Sequence, residues 1–271
     1  MSADIINSTI ILGGIGLFCS VLLGMAARFF AVHEDPRIEV LTALLPGVNC
    51  GSCGLPGCSE YARALILHSA KVNLCKPGGP ETMRALATYL GIEPVVMERQ
   101  VAIVLCNGDD KTAIRKFCYN GIADCAAAAL VGGGAKACGY GCLGLGTCAR
   151  VCPTNAIEIT LTHLASVHPE LCIGCGQCVN ACPKKIIRLV SESRTIHVLC
   201  RSQDRGSVVK KNCSVGCIGC TLCTKVAGNA IKMEGTLAVV DYSQGLENAE
   251  AITKCPQHTI IKRSGRKEVP A

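Results

Sequence analysis

The sequence predicts an α+β protein: a single amino-terminal transmembrane helix, a small helical four-cysteine domain, and a duplicated cysteine-rich body. Three observations carry this. Residues 5–27 hold no charge; 22 cysteines stand among 271 residues, most of them closely spaced; and a Val-Leu-Cys segment with the cysteines that follow it occurs twice.

Residues 5–27 are apolar or small apart from Asn7, Ser8, Thr9 and Ser20, and about twenty apolar residues cross a bilayer as a helix. A cleaved signal peptide fits less well, because Met-Ser-Ala-Asp brings no Lys or Arg ahead of the run. The first basic residues, Arg28 and Arg37, follow the helix. The positive-inside rule then places the soluble part on the cytoplasmic side of the cytoplasmic membrane, where reducing conditions keep thiols free for metal. Gly16, Ser20 and Gly24 form a small-residue stripe suited to a membrane partner. The membrane segment is assigned to 1–30.

Residues 31–92 form the second unit. Cys50, Cys53, Cys58 and Cys75 are spaced C-x2-C-x4-C-x16-C, with glycines between the first three that let the backbone turn tightly. Helices are expected at 37–45, 59–70 and 80–91, the second returning the chain to Cys75. Four cysteines alone do not choose between zinc and an iron–sulfur cluster; the motifs downstream favour the cluster.

Residues 93–192 hold the most specific signal. Residues 172–183 read Cys-Ile-Gly-Cys-Gly-Gln-Cys-Val-Asn-Ala-Cys-Pro, the C-x2-C-x2-C-x3-C-P run by which bacterial ferredoxins hold 4Fe–4S clusters, its fourth cysteine serving the neighbouring cluster. A zinc ribbon needs two separated pairs and no Cys-Pro ending. A looser partner run, Cys138, Cys142, Cys148 and Cys152-Pro153, lies upstream. By the same crossover, Cys138, Cys142, Cys148 and Cys182 are expected to share one cluster, and Cys152, Cys172, Cys175 and Cys178 the other. A helix is expected at 120–130, with strands at 101–105, 156–160 and 186–190.

Residues 193–263 echo the first copy. Val104-Leu105-Cys106, Cys118, Gly121 and Cys125 are matched by Val198-Leu199-Cys200, Cys213, Gly216 and Cys220, the mark of a repeat. Cys217, Cys220, Cys223 and Cys255 are the expected ligands here, with strands at 195–199 and 236–241. The second cluster of this copy has lost all its ligands, because Ala227, Gly245, Asn248 and Ala251 occupy the corresponding positions. Four 4Fe–4S clusters are therefore expected. Residues 264–271 make a polar tail. Cys19, Cys106, Cys118, Cys125, Cys200 and Cys213 remain; burial as small hydrophobes is their ordinary role, while the duplicated positions of Cys106/Cys200 and Cys118/Cys213 leave room for one more metal site.

Composition narrows the function. Aromatic residues are 3% and tryptophan is absent, so metal cages must replace part of the core. A net charge of +7 would ordinarily suggest nucleic acid, but each oxidised cluster with four thiolates carries about −2, and four of them offset it. No nucleic-acid partner is expected. Gly144-Leu-Gly146-Thr-Cys-Ala149 matches a dinucleotide fingerprint only formally, since it lies inside the cysteine run. No Walker loop and no nucleophile–base set is present, so no substrate-bond chemistry is expected in this chain.

The order of helix, C-x2-C-x4-C-x16-C, Val-Leu-Cys segment and tandem ferredoxin motifs resembles the B-subunit family of Rnf complexes, ion-translocating ferredoxin:NAD oxidoreductases. The likeness runs from Ile5 to about Ile260, sharpest at Asn49-Cys50-Gly-Ser-Cys53-Gly-Leu-Pro-Gly-Cys58. It implies an electron carrier that receives electrons from reduced ferredoxin and passes them by way of the Cys50–Cys75 site to membrane subunits, which couple the transfer to ion translocation and NAD reduction. A tethered subunit of a hydrogenase or formate dehydrogenase is the alternative, but lacks the Cys50–Cys75 spacing. An iron–sulfur redox sensor would need an output domain, and none is visible.

Overall fold

The computed structural model describes residues 2–30, 35–93, 98–244 and 249–263. Gly245, Asn248 and the 264–271 tail lie outside the described residues.

Helix α1 (Ser2–Phe29) is apolar on every side. Its stretch Ile6–Phe29 is long and apolar enough to cross a membrane and is exposed along its length among the described residues; at 1.5 Å per residue it spans about 36 Å. Ser20 donates its hydroxyl to the Gly16 carbonyl at 2.8 Å, which satisfies its polar group within the helix.

Three helices build the second unit: α2 (Pro36–Leu44), α3 (Cys58–Ile66) and α4 (Gly79–Leu90). Asp35 caps α2 by accepting the Arg37 N–H at 2.9 Å, with Pro36 in the first turn. Gly91, at φ +67°, ends α4 in the left-handed conformation that glycine enters most easily. Leu41, Tyr61, Ala62, Leu65 and Leu86 bury their faces together.

The body is made of short pieces. Strand β1 (Gln100–Val104) is followed by helices α5 (Cys125–Leu130) and α6 (Thr147–Arg150), strands β2 (Ile157–Ile159) and β3 (Ala165–Val167), helix α7 (Gln177–Ala181) and strand β4 (Ile187–Ser191). Then come β5 (Ile196–Val198), α8 (Gly206–Asn212), α9 (Leu222–Ala227), β6 (Ile231–Glu234), β7 (Leu237–Val240), α10 (Glu250–Thr253) and β8 (Ile260–Lys262). All pairings are antiparallel and two-stranded: β1 with β4, β2 with β3, β5 with β8, β6 with β7. Each half thus has an outer pair from its first and last strands and an inner hairpin. Two apolar clusters fill the halves, and Tyr242 packs against both. Buried Cys142, Cys148, Cys172 and Cys178 belong to the first, and Cys223 to the second.

The halves are sewn together by the segments that follow β1 and β5. Asn107 N–H donates to Leu199 O at 3.2 Å, Ile114 N–H to Asn212 O at 2.9 Å, and Ser214 N–H to Thr112 O at 2.9 Å. A third segment joins them, because Lys116 N–H donates to Ala135 O and Ala137 N–H to Ile114 O, each at 2.7 Å.

Helices at 37–45, 59–70 and 80–91 and strands at 101–105, 156–160, 186–190, 195–199 and 236–241 are found within a few residues of expectation. The helix expected over 120–130 starts only at Cys125, where Asp124 caps it by accepting the N–H groups of Ala126 and Ala127 at 2.8 and 3.0 Å. Strands β3, β6 and β8 and helices α6, α7, α8, α9 and α10 have no counterpart among the elements expected from the sequence.

Candidate iron–sulfur sites

In the helical unit, Asn49 closes the loop of the first three cysteines. Its Oδ1 accepts the Cys58 N–H at 2.8 Å, so the start of α3 is held beside Cys50. Tyr61 fixes the fourth. Its hydroxyl donates to Lys71 O at 2.7 Å and accepts the Leu74 N–H at 3.3 Å, anchoring the segment that presents Cys75. Burial pushes the Cys75 thiol up, and the charges of Cys58, Cys50 and Cys53 act in the same direction. The structure therefore brings the four predicted residues Cys50, Cys53, Cys58 and Cys75 together.

In the body, three cysteines repeat one local design. Cys148 on α6, Cys178 on α7 and Cys223 on α9 each sit in the first turn of a short helix entered through a left-handed residue: Gly146, Gly176 and Thr221. The turn folds the preceding cysteines back towards the helix start. Cys178 is pushed up to about 12 by burial, then by the fields of Cys172, Cys175, Cys148 and Cys152, so Cys152, Cys172, Cys175 and Cys178 share one neighbourhood as predicted. Cys217, Cys220, Cys223 and Cys255 line one cavity of about 370 Å³, and burial with the other three thiols pushes Cys223 up to about 11.

The fourth set departs from expectation at one residue. Cys142, Cys148 and Cys182 line a cavity of about 350 Å³, but its fourth cysteine is Cys125, and Cys138 faces elsewhere. The reason is local. Thr147 Oγ1 accepts the Cys125 N–H at 2.7 Å and donates to Asp124 at 2.8 Å, tying the start of α5 to the start of α6 and hence to Cys148. Cys138 instead follows the 135–137 segment that is stitched to residues 114–116. Cys148 is pushed up to about 12 by burial, then by Cys142, Cys125 and Cys182. The repeat that sets Cys125 opposite the expected ligand Cys220 was the sequence signal for it.

Of the four positions expected to have lost ligands, Ala227 and Ala251 lie among the described residues. Ala251 on α10 is fully buried in the apolar cluster, and Ala227 at the end of α9 packs against that cluster. Cys118 is exposed, and Cys19 lies on the outside of α1.

The thiol sets suit iron–sulfur clusters. Soft sulfur donors match iron, and thiols held neutral by burial and by one another release their protons once cationic iron enters. A single zinc, with Zn–S near 2.3 Å, draws four thiolates to within about 4 Å of each other. Among the described residues no three His, Cys, Asp or Glu side chains converge on one point in that way; the Cys125–Cys182 and Cys217–Cys255 thiols stand around open cavities.

A membrane-length helix joined to several such thiol sets defines a tethered iron–sulfur electron-transfer protein. Residues 45–77 match the family model for a putative Fe–S cluster, and residues 145–193 that for the LdpA Fe–S cluster-binding domain. The chain is 42% identical, over 92% of its length and 75% of the relative's, to the B subunit of the Na(+)-translocating ferredoxin:NAD(+) oxidoreductase complex of Acetobacterium woodii. It is 38% identical, over 97% of its length and 100% of the relative's, to the B subunit of the ion-translocating oxidoreductase complex of Methanosarcina acetivorans. The B subunit of the proton-translocating ferredoxin:NAD(+) oxidoreductase complex of Clostridium ljungdahlii is 40% identical over 91% of the chain and 88% of the relative. The chain belongs to this family, the B subunits of Rnf-type ion-translocating oxidoreductase complexes, and is an iron–sulfur electron-transfer subunit of such a complex.

Proposed function

We propose that this subunit is a cytoplasmic-side relay with at least four 4Fe–4S clusters, set in a duplicated ferredoxin-like body and a helical unit next to the membrane. The ligand sets are Cys50, Cys53, Cys58 and Cys75; Cys125, Cys142, Cys148 and Cys182; Cys152, Cys172, Cys175 and Cys178; and Cys217, Cys220, Cys223 and Cys255. Matching strand pairings in the two halves support the duplication.

Bound clusters supply one-electron transfer, at potentials set by charge, hydrogen bonding and exposure. The protein fixes their order. One observation carries the reading: the Gln177 side-chain amide donates to the Cys50 carbonyl, and Cys50 is among the groups whose field acts on Cys175. The cluster pair of the body therefore abuts the Cys50–Cys75 site, which stands some twenty residues beyond α1. Reduced ferredoxin is the donor, docking on the body, and electrons leave through the helical unit to the membrane subunits. Ion translocation and NAD reduction belong to those subunits.

The test is anaerobic titration of the purified full chain with reduced ferredoxin. The reading expects at least about 16 iron and 16 sulfide per chain and bleaching of the cluster absorbance by the donor. A chain rich in iron but inert to reduced ferredoxin would remove the donor assignment.

A further inference from the structure

Four of the cysteines outside those sets or displaced from them come together. Cys106 and Cys138 from the first half and Cys200 and Cys213 from the second line one cavity of about 410 Å³ at the junction of the halves. We propose that these four residues hold a fifth 4Fe–4S cluster, which links the two halves of the electron path.

The backbone builds this junction. Asn107 N–H donates to Leu199 O, which sets Cys106 beside Cys200, and Ala113 bridges Cys213. The 135–137 segment, paired to 114–116, delivers Cys138. Four thiols far apart in sequence, at positions 106, 138, 200 and 213, are thus gathered by main-chain hydrogen bonds and not by a short loop.

The walls leave room for a bulky group. A Cβ at Gly108 would stand 3.1 Å from Cys213 Sγ and 3.9 Å from Cys106 Sγ, and one at Gly141 would stand 3.8 Å from Cys138 Sγ. Bare glycine surfaces therefore face the sulfurs. The rest of the lining is mostly apolar, with Ala113, Leu199 and Val209.

A buried cation marks the site independently. Lys136 is 3% exposed and lines the same cavity. Its Nζ donates to Gly108 O at 2.7 Å and approaches His163 O at 3.5 Å, both neutral acceptors. A buried ammonium needs a compensating anion. An oxidised cluster with its thiolates, carrying about −2, supplies one.

The position gives the site its use. Cys106 Sγ accepts the N–H of Cys142, a residue of the neighbouring set, at 3.4 Å. On the opposite side Cys200 lies in the field of Cys217, the first residue of the other set. The junction site thus touches both the Cys125–Cys182 set and the Cys217–Cys255 set, and a cluster there makes the path continuous from the second half to the first.

The proposal rests on the four-site reading above, and the test separates the two. Full-length chain is purified anaerobically in detergent, and iron, sulfide and zinc are counted alongside the reduced-state electron paramagnetic resonance spectrum. The expected result is about 20 iron and 20 sulfide without zinc, falling by about four of each in Cys213→Ser and in Cys138→Ser and unchanged in Cys118→Ser. A wild-type count of about 16 overturns the fifth cluster alone, and so does about 16 iron with one zinc that is lost in Cys213→Ser. A count below about 16 removes the four-site reading and this proposal with it. The wild-type count decides even where a variant fails to fold.

Discussion

Gln177 and Cys50 are 127 residues apart in sequence, yet the amide of one donates to the backbone carbonyl of the other. Gln177 opens α7, one residue before Cys178, and Cys50 opens the first cysteine loop. This contact ties the ferredoxin-like motif to the helical unit. Replacing Gln177 by Leu removes a hydrogen bond worth about 1 kcal/mol, enough to raise the undocked fraction about five-fold. Iron content is expected to stay at the wild-type value while electron transfer from the body to the membrane subunits slows. Pre-steady-state reduction of the partner subunits reads the effect.

The cavity of Cys142, Cys148 and Cys182 is lined by Cys125 and not by Cys138. Cys125→Ser is expected to remove one cluster and the signal it shares with Cys142, Cys148 and Cys182. The variant Asp124→Ala, which removes the carboxylate that holds Thr147 and Arg150 but keeps the Cys125 N–H bond to Thr147, is expected to broaden that same signal without removing it. An iron count unchanged in Cys125→Ser would return Cys138 to the set.

His197 is 2% exposed on β5, with Nδ1 3.1 Å from the Tyr242 hydroxyl. Burial, then the charge of Arg263, holds its pKa down at about 4, below the ordinary 6.5. Arg188 lies over the Tyr242 ring at 5.8 Å, so the surroundings are cationic. The unfolded chain therefore binds more protons between those two pH values. Stability contributed by neutral His197 is complete above pH 6.5 and is lost as pH falls towards 4, at up to about 1.4 kcal/mol per pH unit. His197→Gln is expected to flatten denaturation midpoints across that window.

Thr221 holds φ +61° at the position where Gly146 and Gly176 stand before the sister helices. A β-branched residue is strained there. Thr221→Gly is expected to raise stability by about 1 kcal/mol without changing iron content. A loss of stability in a denaturant titration would show that the threonine makes a compensating contact.

The parts of this chain legible in its sequence are those dictated by short range. The charge-free run of α1, the Asp35–Pro36 start of α2 and the 172–183 motif are local patterns, and the structure follows them. The thiol sets that depend on distant pairing were legible only in part, through the repeat that matches Cys125 with Cys220 and Cys106 with Cys200. Spacing placed Cys138 with Cys142, whereas the pairing of 135–137 with 114–116 turns it to the junction of the halves. Strands β3, β6 and β8 are three or four residues long, too short for a period to emerge, and form because a partner strand receives their hydrogen bonds.

The central claim is that electrons leave the body through the Cys50–Cys75 site. Its most direct test is the intact complex carrying Cys58→Ala, supplied anaerobically with reduced ferredoxin while body-cluster absorbance and NAD reduction are followed together. The account predicts that the body clusters still bleach on mixing and that NAD reduction is lost. NAD reduction at the wild-type rate would contradict it, because electrons would then reach the membrane by a route that bypasses this site.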